Sequence, residues 1–240
     1  MGFNLNKLPR GNGGGDRVQQ PTLDVGSYPA RLVRMIDMGV QPQRAFKGQD
    51  KPPAHEVDFT YELLDVFMLD KEGNELEDKP RWISESFPVY RLEADLAKST
   101  KRYKALDPNM DFDGDMSKLV GQPCMVTIVH GDNKKDPARP YENIGNVAVM
   151  RAKEAAKAPD LKNDPVVFLL DEPDMEVFNK FPQWIQDKLK GNLGYAGSPL
   201  QAALEGSEGK GGTSPKGRPK KASEAPVEPN DDPEGDDNNW

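Results

Sequence analysis

The sequence predicts a mainly β fold: a five-stranded barrel in the order β-β-β-α-β-β, followed by a C-terminal helix and a disordered acidic tail. Five segments between residues 26 and 150 have the alternating or β-branched apolar residues of strands, and one segment of helical period follows the third. Hydrophobic residues make up only 35% of the 240 residues, with 22 glycines and 22 prolines. This composition indicates that part of the chain is unfolded.

The first three strands are predicted at residues 26–37, 55–69 and 81–89. In the second strand, the apolar residues hold odd positions up to Leu63 and even positions from Leu64 onward. A one-residue shift of this kind within a long strand predicts a bulge or a strong bend, which small barrels use to curl.

A helix is predicted next, at residues 92–106, and Asp107-Pro108 ends it. Two further strands follow at residues 122–130 and 141–150. Five strands with a helix after the third are the order of the oligonucleotide-binding (OB) barrel, in which the loops between strands 1 and 2 and strands 4 and 5 flank the binding face. Both of those loops, residues 39–54 and 131–140, carry three cations.

The barrel is expected to span residues 25–151, after a flexible Gly-rich arm at residues 1–24. Residues 152–191 then form a connector and a helix that packs on the barrel or on another subunit, which leaves a homo-oligomer open. The helix is predicted from a stripe at helical spacing. Its members are Phe178, Phe181, Ile185 and Leu189.

Residues 192–240 are expected to be a disordered linker and an acidic tail. The tail, residues 224–240, contains seven acids and no Lys or Arg, and its only large apolar residues are Val227 and Trp240. It cannot bury enough apolar surface to offset the entropy of ordering. Acidic tails often only keep a protein soluble, but an exposed terminal indole is an adhesive group that points to a partner.

Other functional classes have weaker support. One cysteine excludes an intrachain disulfide, and the sequence has neither an apolar run long enough to span a membrane nor the apolar core of a signal peptide. Residues 109–120 partly match a calcium loop, but Val120 stands where a bidentate Glu is required. Cys124, His55 and His130 lack the spacing of a zinc site. We therefore expect no cofactor, no metal and no enzymatic activity.

The VDFTYEL, LVGQPCMVTIVHG and YENIGNV strands and the FNKFPQWIQDKLKGN segment, together with the acidic tail that ends in an aromatic residue, resemble bacteriophage single-stranded DNA-binding proteins. The resemblance covers roughly residues 26–191 and the tail. It implies an OB fold, sequence-tolerant binding of single strands during replication or recombination in the cytoplasm of an infected bacterium, and a tail that meets replication proteins. The acidic body of the chain that precedes the tail and the terminal Trp240, where better-known members end in Phe, depart from that pattern.

The residues predicted to contact DNA are cations for the phosphates and aromatic rings for the bases. They are Arg31, Arg34, Arg44, Phe46, Lys47, Lys51, Phe59, Tyr61, Trp82, Lys101, Arg102, Lys134, Lys135, Arg139 and Tyr141. The residues predicted to bind partner proteins are Asp231, Asp232, Glu234, Asp236, Asp237 and Trp240. For Phe59, Tyr61 and Trp82, a place in the core is the alternative. The alternative function is an adaptor whose barrel binds another protein.

Overall fold

The structure, a computed structural model, describes residues 18–208. The first 17 residues of the predicted arm and residues 209–240, with the acidic tail, lie outside this range. The described part contains six strands and five helices. They are β1 (Gly26–Gln41), β2 (Ala54–Leu69), β3 (Glu75–Pro88), α1 (Lys98–Leu106), β4 (Pro123–Gly131), β5 (Tyr141–Val149), α2 (Ala152–Ala155), β6 (Val166–Phe168), α3 (Met175–Lys180), α4 (Gln183–Lys190) and α5 (Pro199–Glu208).

The prediction of a mainly β fold is confirmed. The strands form one sheet in the order β3-β2-β1-β4-β5, antiparallel throughout, and β6 adds to β1 in parallel. The sheet is not closed, because β3 and β5 at its two ends share no strand ladder within residues 18–208. An ion pair between Arg81 on β3 and Glu142 on β5, with 3.1 Å between nitrogen and oxygen, still holds the two ends together.

The central strand β1 has three strand partners. Its first half, up to Arg31, pairs with β4, and residues Arg34 to Ile36 pair with β6. The register with β2 shifts once between Leu32 and Arg34 and again between Asp37 and Gly39. Bulges of this kind bend a strand and turn its side chains, which allows β1 to leave one partner and meet the next.

Two hydrophobic clusters lie on opposite faces of the sheet. The inner cluster fills the concave side with alternate residues of β1 to β5 and with Tyr103 and Leu106 of α1. In β2 the predicted phase flip is confirmed as a register shift after Glu62. The strand thereby keeps apolar side chains inside on both sides of the bend, as the period of two requires.

The outer cluster lies on the other face of β1, under the C-terminal helices. The predicted stripe is buried within it, alongside Ile36, Met38, Phe168 and Leu200. The single helix predicted there is two helices: α3 ends at Lys180, and Pro182 caps α4, since proline lacks the N–H that would continue a helix. Within the described residues, the C-terminal helices pack on β1 of the same chain.

The chain stays ordered for longer than the sequence predicted at both ends. Residues 192–208 were expected to be linker, but α5 lies there and Leu200 is fully buried. At the other end, residues 18–24 belong to the fold: Leu23 is buried, and the Gln20 side chain donates to Leu69 O and accepts from Leu69 N. Leu23 N also donates to Glu142, so this segment crosses the seam between β3 and β5.

Three element bounds were also wrong. The first strand, predicted to end at residue 37, continues to Gln41, because its pairing with β2 extends to Ala54. The strand predicted from residue 81 begins at Glu75, because the preceding turn is tight: both carboxylate oxygens of Asp70 accept from Asn74. The helix predicted from residue 92 begins at Lys98, since residues 91–97 form successive turns closed by Ala94 N to Arg91 O and Ala97 N to Ala94 O. Helical spacing of apolar residues does not distinguish such turns from the first turn of a helix.

We predict that Leu189→Ala destabilises the protein by about 2–5 kcal/mol, because it leaves a cavity in the outer cluster. Leu193→Ala is the matched control, since Leu193 is exposed, and should change the free energy of unfolding by less than about 0.5 kcal/mol. Urea denaturation followed by circular dichroism measures both. Equal effects of the two substitutions would show that the C-terminal layer is not part of the cooperative fold.

A pH-dependent contact joins the end of β1 to the start of β2. His55 Nε2 lies 2.6 Å from Asp37 Oδ1, and this hydrogen bond raises the pKa of His55 against its partial burial. Burial raises the pKa of Asp37, but the hydrogen bonds from His55 and Gly39 N outweigh it, so the net shift is downward. The pair therefore stabilises the fold most between about pH 4 and pH 6.5, where both groups are charged in the folded and unfolded chains.

We predict that His55→Gln removes this dependence. The difference in unfolding free energy between wild type and variant should be largest near pH 5.5 and should shrink as the pH rises through the folded pKa of His55. It should shrink again as the pH falls through the folded pKa of Asp37. Urea denaturation at several pH values measures the difference, and a difference independent of pH would contradict the assignment.

Candidate functional site

The outer face of β2 and β3 carries polar side chains in register. Cross-strand partners share a face, so Glu62 lies beside Trp82, Thr60 beside Ser84 and Asp58 beside Ser86. The C-terminal helices cover the neighbouring part of β1, but the β3 members of this face remain exposed. We call this strip, residues 58, 60 and 62 with 82, 84 and 86, the outer face.

Trp82 is the aromatic residue of the outer face, and 41% of its surface is exposed. Its indole Nε1 donates to Glu62 Oε2 at 3.2 Å. The fully buried Glu62 carboxylate also accepts from Lys162 N at 2.6 Å and from Asn163 Nδ2 at 2.7 Å. The Glu62 carboxylate thus binds both the edge of the indole and the connector after β5, while 41% of the Trp82 surface stays exposed.

Arg34 and Asp58 form a buried pair beside Trp82. Arg34 Nη2 lies 3.7 Å from Asp58 Oδ1, while Ser86 Oγ donates to Asp58 Oδ2 at 2.8 Å. Burial lowers the pKa of Arg34 and raises that of Asp58, and each charge opposes the shift of the other. Arg34 Nε and Asp58 Oδ1 are buried without a hydrogen-bond partner, so the pair is held by packing and charge rather than by direct hydrogen bonds.

The β1–β2 loop, residues 42–53, presents an aromatic ring among cations. Phe46 and Gln49 exchange two backbone hydrogen bonds of 2.9 Å around Lys47 and Gly48, both of which have positive φ. Positive φ at both central residues is the geometry of a tight two-residue hairpin turn. Phe46 is 45% exposed, with Lys51 Nζ 4.7 Å and Lys47 Nζ 5.3 Å from its ring centre. Arg44 lies in the same loop.

The β4–β5 loop, residues 132–140, presents a second group of cations. Lys134, Lys135 and Arg139 are exposed, and Tyr141, the first residue of β5, is 41% exposed. The Asn133 side chain shapes the loop by accepting from Lys135 N and Asp136 N and donating to Arg139 O.

The two loops lie at opposite ends of the outer face. The β1–β2 loop joins the paired residues Gln41 and Ala54 at the start of β2. The β4–β5 loop lies beside the start of β1, where Gly26 pairs with Ile128. The start of β1 in turn runs beside the C-terminal half of β2, since Ala30 pairs with Leu63. The register thus places Trp82 between two loops that each carry cations and an exposed aromatic ring.

Five residues predicted to contact DNA lie away from the outer face, and four of them are buried or bound to other groups of the protein. Phe59 and Tyr61 point into the inner cluster and are fully buried, so neither ring can stack on a base. Arg102 is also buried, where its guanidinium donates to Glu85 at 2.7 and 3.1 Å. Arg31 donates to the carbonyls of Gly121, Ala158 and Pro159, so it holds the connector. These four predictions were wrong. The two rings belong to the core, and the charge of an arginine in the sequence does not show that its guanidinium already binds another group of the protein.

Lys101 is exposed, but it lies on α1, which packs against β3, β4 and β5 from the inner side rather than against the outer face. Sequence reasoning also missed Glu62, Asp58 and Phe181, which surround Trp82 and Arg34. The alternation in β2 does show that Asp58 and Glu62 share one face of the strand. It does not show that this face is covered, so both carboxylates were expected to be exposed to solvent.

Within residues 18–208, no group of three His, Cys, Asp or Glu side chains is arranged to hold a metal ion. The loop that partly matches a calcium site is organised by the buried Asp107, which accepts from Asp111 N, Phe112 N and Tyr103 Oη. Cys124 is fully buried in the inner cluster, and burial raises the pKa of its thiol.

Comparisons with models of known protein families, with curated proteins and with solved structures find no match to this chain. Within residues 18–208, every helix is too short or too polar to cross a membrane. The function must therefore be argued from the geometry of the outer face and its two loops.

Proposed function

We propose that this chain is a single-stranded DNA-binding protein that holds the strand along the outer face. One observation carries the proposal: the exposed Trp82 ring lies between two cation-bearing loops, each with an exposed aromatic ring, Phe46 or Tyr141. Aromatic platforms within a groove that tracks the phosphates are the shared features of proteins that bind single strands without sequence preference.

The fold is proposed to be an OB barrel. The strand order, the pairing of β1 with both β2 and β4, and the helix between β3 and β4 support this assignment. Closure between β3 and β5 would be supplied by the Arg81–Glu142 ion pair and the segment 18–24 instead of a strand ladder. OB barrels bind oligonucleotides on the face of strands 2 and 3, which is where Trp82 lies.

The binding mode follows from the distribution of charge. At the centre of the outer face, the carboxylates of Asp58 and Glu62 are buried. Arg34 pairs with Asp58, and Glu62 accepts hydrogen bonds from Lys162 N and Asn163 Nδ2. The centre therefore offers stacking rather than phosphate contact, while the loops at its ends offer cations. Because a duplex hides the faces of its bases, such a surface prefers single strands.

An adaptor that binds another protein is the second candidate. The two buried carboxylates favour it, since they lower the positive potential of the outer face and nucleic-acid interfaces need positive charge. Binding to oligonucleotides separates the two functions.

We predict that mixed-sequence single strands bind more tightly than the matching duplex. About four phosphate contacts would give a slope of log affinity against log salt of roughly −3, since each contributes about −0.7. Lys135→Ala should weaken all sequences equally and flatten the slope by about 0.7. Trp82→Ala and Phe46→Ala should weaken binding by about 1–3 kcal/mol each and leave the slope unchanged. Fluorescence anisotropy at several salt concentrations measures both quantities.

Lys118→Ala is the matched control for Lys135→Ala. It removes the same charge from an exposed side chain on the short turn before β4, remote from both loops, and should leave affinity and slope unchanged. Equal affinity for single strand and duplex would contradict the proposal. Absence of binding to either form at low salt would also contradict it and would favour the adaptor function.

The tail is proposed to compete with DNA and to recruit replication or recombination proteins. The tail lies outside the described residues. The prediction rests on its seven acidic residues, which would compete with the phosphates of DNA for the cations of the loops. Deleting residues 224–240 should leave the fold intact and strengthen DNA binding at low salt, because tethered negative charge leaves the vicinity of the loops. Trp240→Ala should keep the DNA affinity of the full chain but weaken partner capture. Unchanged or weaker DNA binding by the truncated protein would rule out the competition.

A further inference from the structure

The Arg34 guanidinium links the outer face to the C-terminal helices. Its central carbon lies 5.9 Å from the ring centre of Trp82 on β3 and 5.9 Å from that of Phe181, which follows α3. An Arg between two rings at this spacing is held by cation–π attraction on both sides. Phe181 is itself buried in the outer cluster, so this contact fixes the edge of the C-terminal layer against the exposed ring of Trp82.

Helix α4 turns one side toward β2. Lys188 on α4 places its Nζ 2.7 Å from Glu56 Oε2 at the start of β2. Trp184 is four residues earlier, and residues four apart lie on the same side of a helix. Ile185 and Leu189, the buried residues of α4, anchor it from beneath. Trp184 therefore lies on the side of α4 that continues from the outer face, on a helix that packing holds in place.

Trp184 is the most exposed aromatic residue in the described part of the chain, at 57%. The outer cluster is complete without it, because the stripe at positions 178, 181, 185 and 189 already fills the interface. The charged residues near it in sequence are of both signs, and Lys188, on the same side of α4, is paired with Glu56. Lys180 and Lys190 are exposed on α3 and α4, while the nearby Asp187 accepts a hydrogen bond from Gln183.

We propose that Trp184 is a second stacking platform for single-stranded DNA, and that a strand stacked on Trp82 continues past Arg34 onto α4. The inference rests on the proposed function and extends the binding surface from the barrel to the C-terminal layer. Single-stranded DNA is the occupant that we propose, since Trp184 lies on the side of α4 that continues from the outer face, and an exposed indole stacks on a base of any sequence.

Strand length tests the proposal directly. Oligothymidines from 4 to 24 nucleotides are titrated against the full-length protein and its variants at low salt. Trp184→Ala should leave the shortest strands that bind unaffected, and should weaken longer strands about 5- to 100-fold, the range expected for loss of one stacked base. Trp82→Ala should weaken binding at every length. Tyr90→Ala is the matched control: Tyr90 is 52% exposed, but its backbone N–H is bound to Ser99 of α1, away from the outer face, so binding should not change.

Fluorescence separates failure of this inference from failure of the proposed function. The chain has three tryptophans, and replacing two of them by Phe leaves either Trp184 or Trp82 as the reporter. Both reporters should be quenched by long strands, and only Trp82 by the shortest strands that bind. Quenching of Trp82 without quenching of Trp184, together with wild-type affinity of Trp184→Ala at all lengths, would overturn the inference and leave the proposed function intact. Absence of quenching at both positions would overturn both.

Discussion

The pairing of one strand with three others is the constraint on which this structure depends. β1 bonds to β2 along most of its length, to β4 over its first half and to β6 at residues Arg34 to Ile36. Two bulges permit the exchange, and the second requires Gly39, whose φ is +71° and where a Cβ would come within 2.9 Å of Leu170 and Asn192. A side chain there would have to displace those of Leu170 and Asn192, and its backbone would be strained at this positive φ.

This arrangement gives β1 a core on each face and leaves the neighbouring strands unevenly covered. Leu32 and Met35 face the inner cluster, while Ile36 and Met38 face the outer one. The C-terminal layer that covers β1 stops at Arg34 and Phe181, so β3 remains open and β2 lies at the margin. That margin explains why Asp58 and Glu62 are buried although the adjacent β3 residues are exposed.

The strands and the buried stripe could be predicted from sequence, because each depends on local period. The bulge in β2 was visible as a phase flip at Leu63, and the register shift lies at that place. β6 could not be predicted, since three residues carry no period and their pairing depends on where β4 leaves β1. Arg31 and Arg102 were assigned to DNA by charge alone, and only tertiary structure shows the carbonyls and the carboxylate that they bind.

The candidate site was harder to predict than the fold, because exposure is decided by what covers a face. Glu62 and Trp82 lie opposite each other on the same face of adjacent strands, yet Trp82 is 41% exposed and Glu62 is fully buried. The carboxylate of Glu62 also positions the Trp82 ring. Burying an acid is costly unless donors surround it, and the donors of Glu62 come from Trp82 itself and from the connector. The Trp82 indole is thus oriented by the same carboxylate that anchors the connector between β5 and the C-terminal layer.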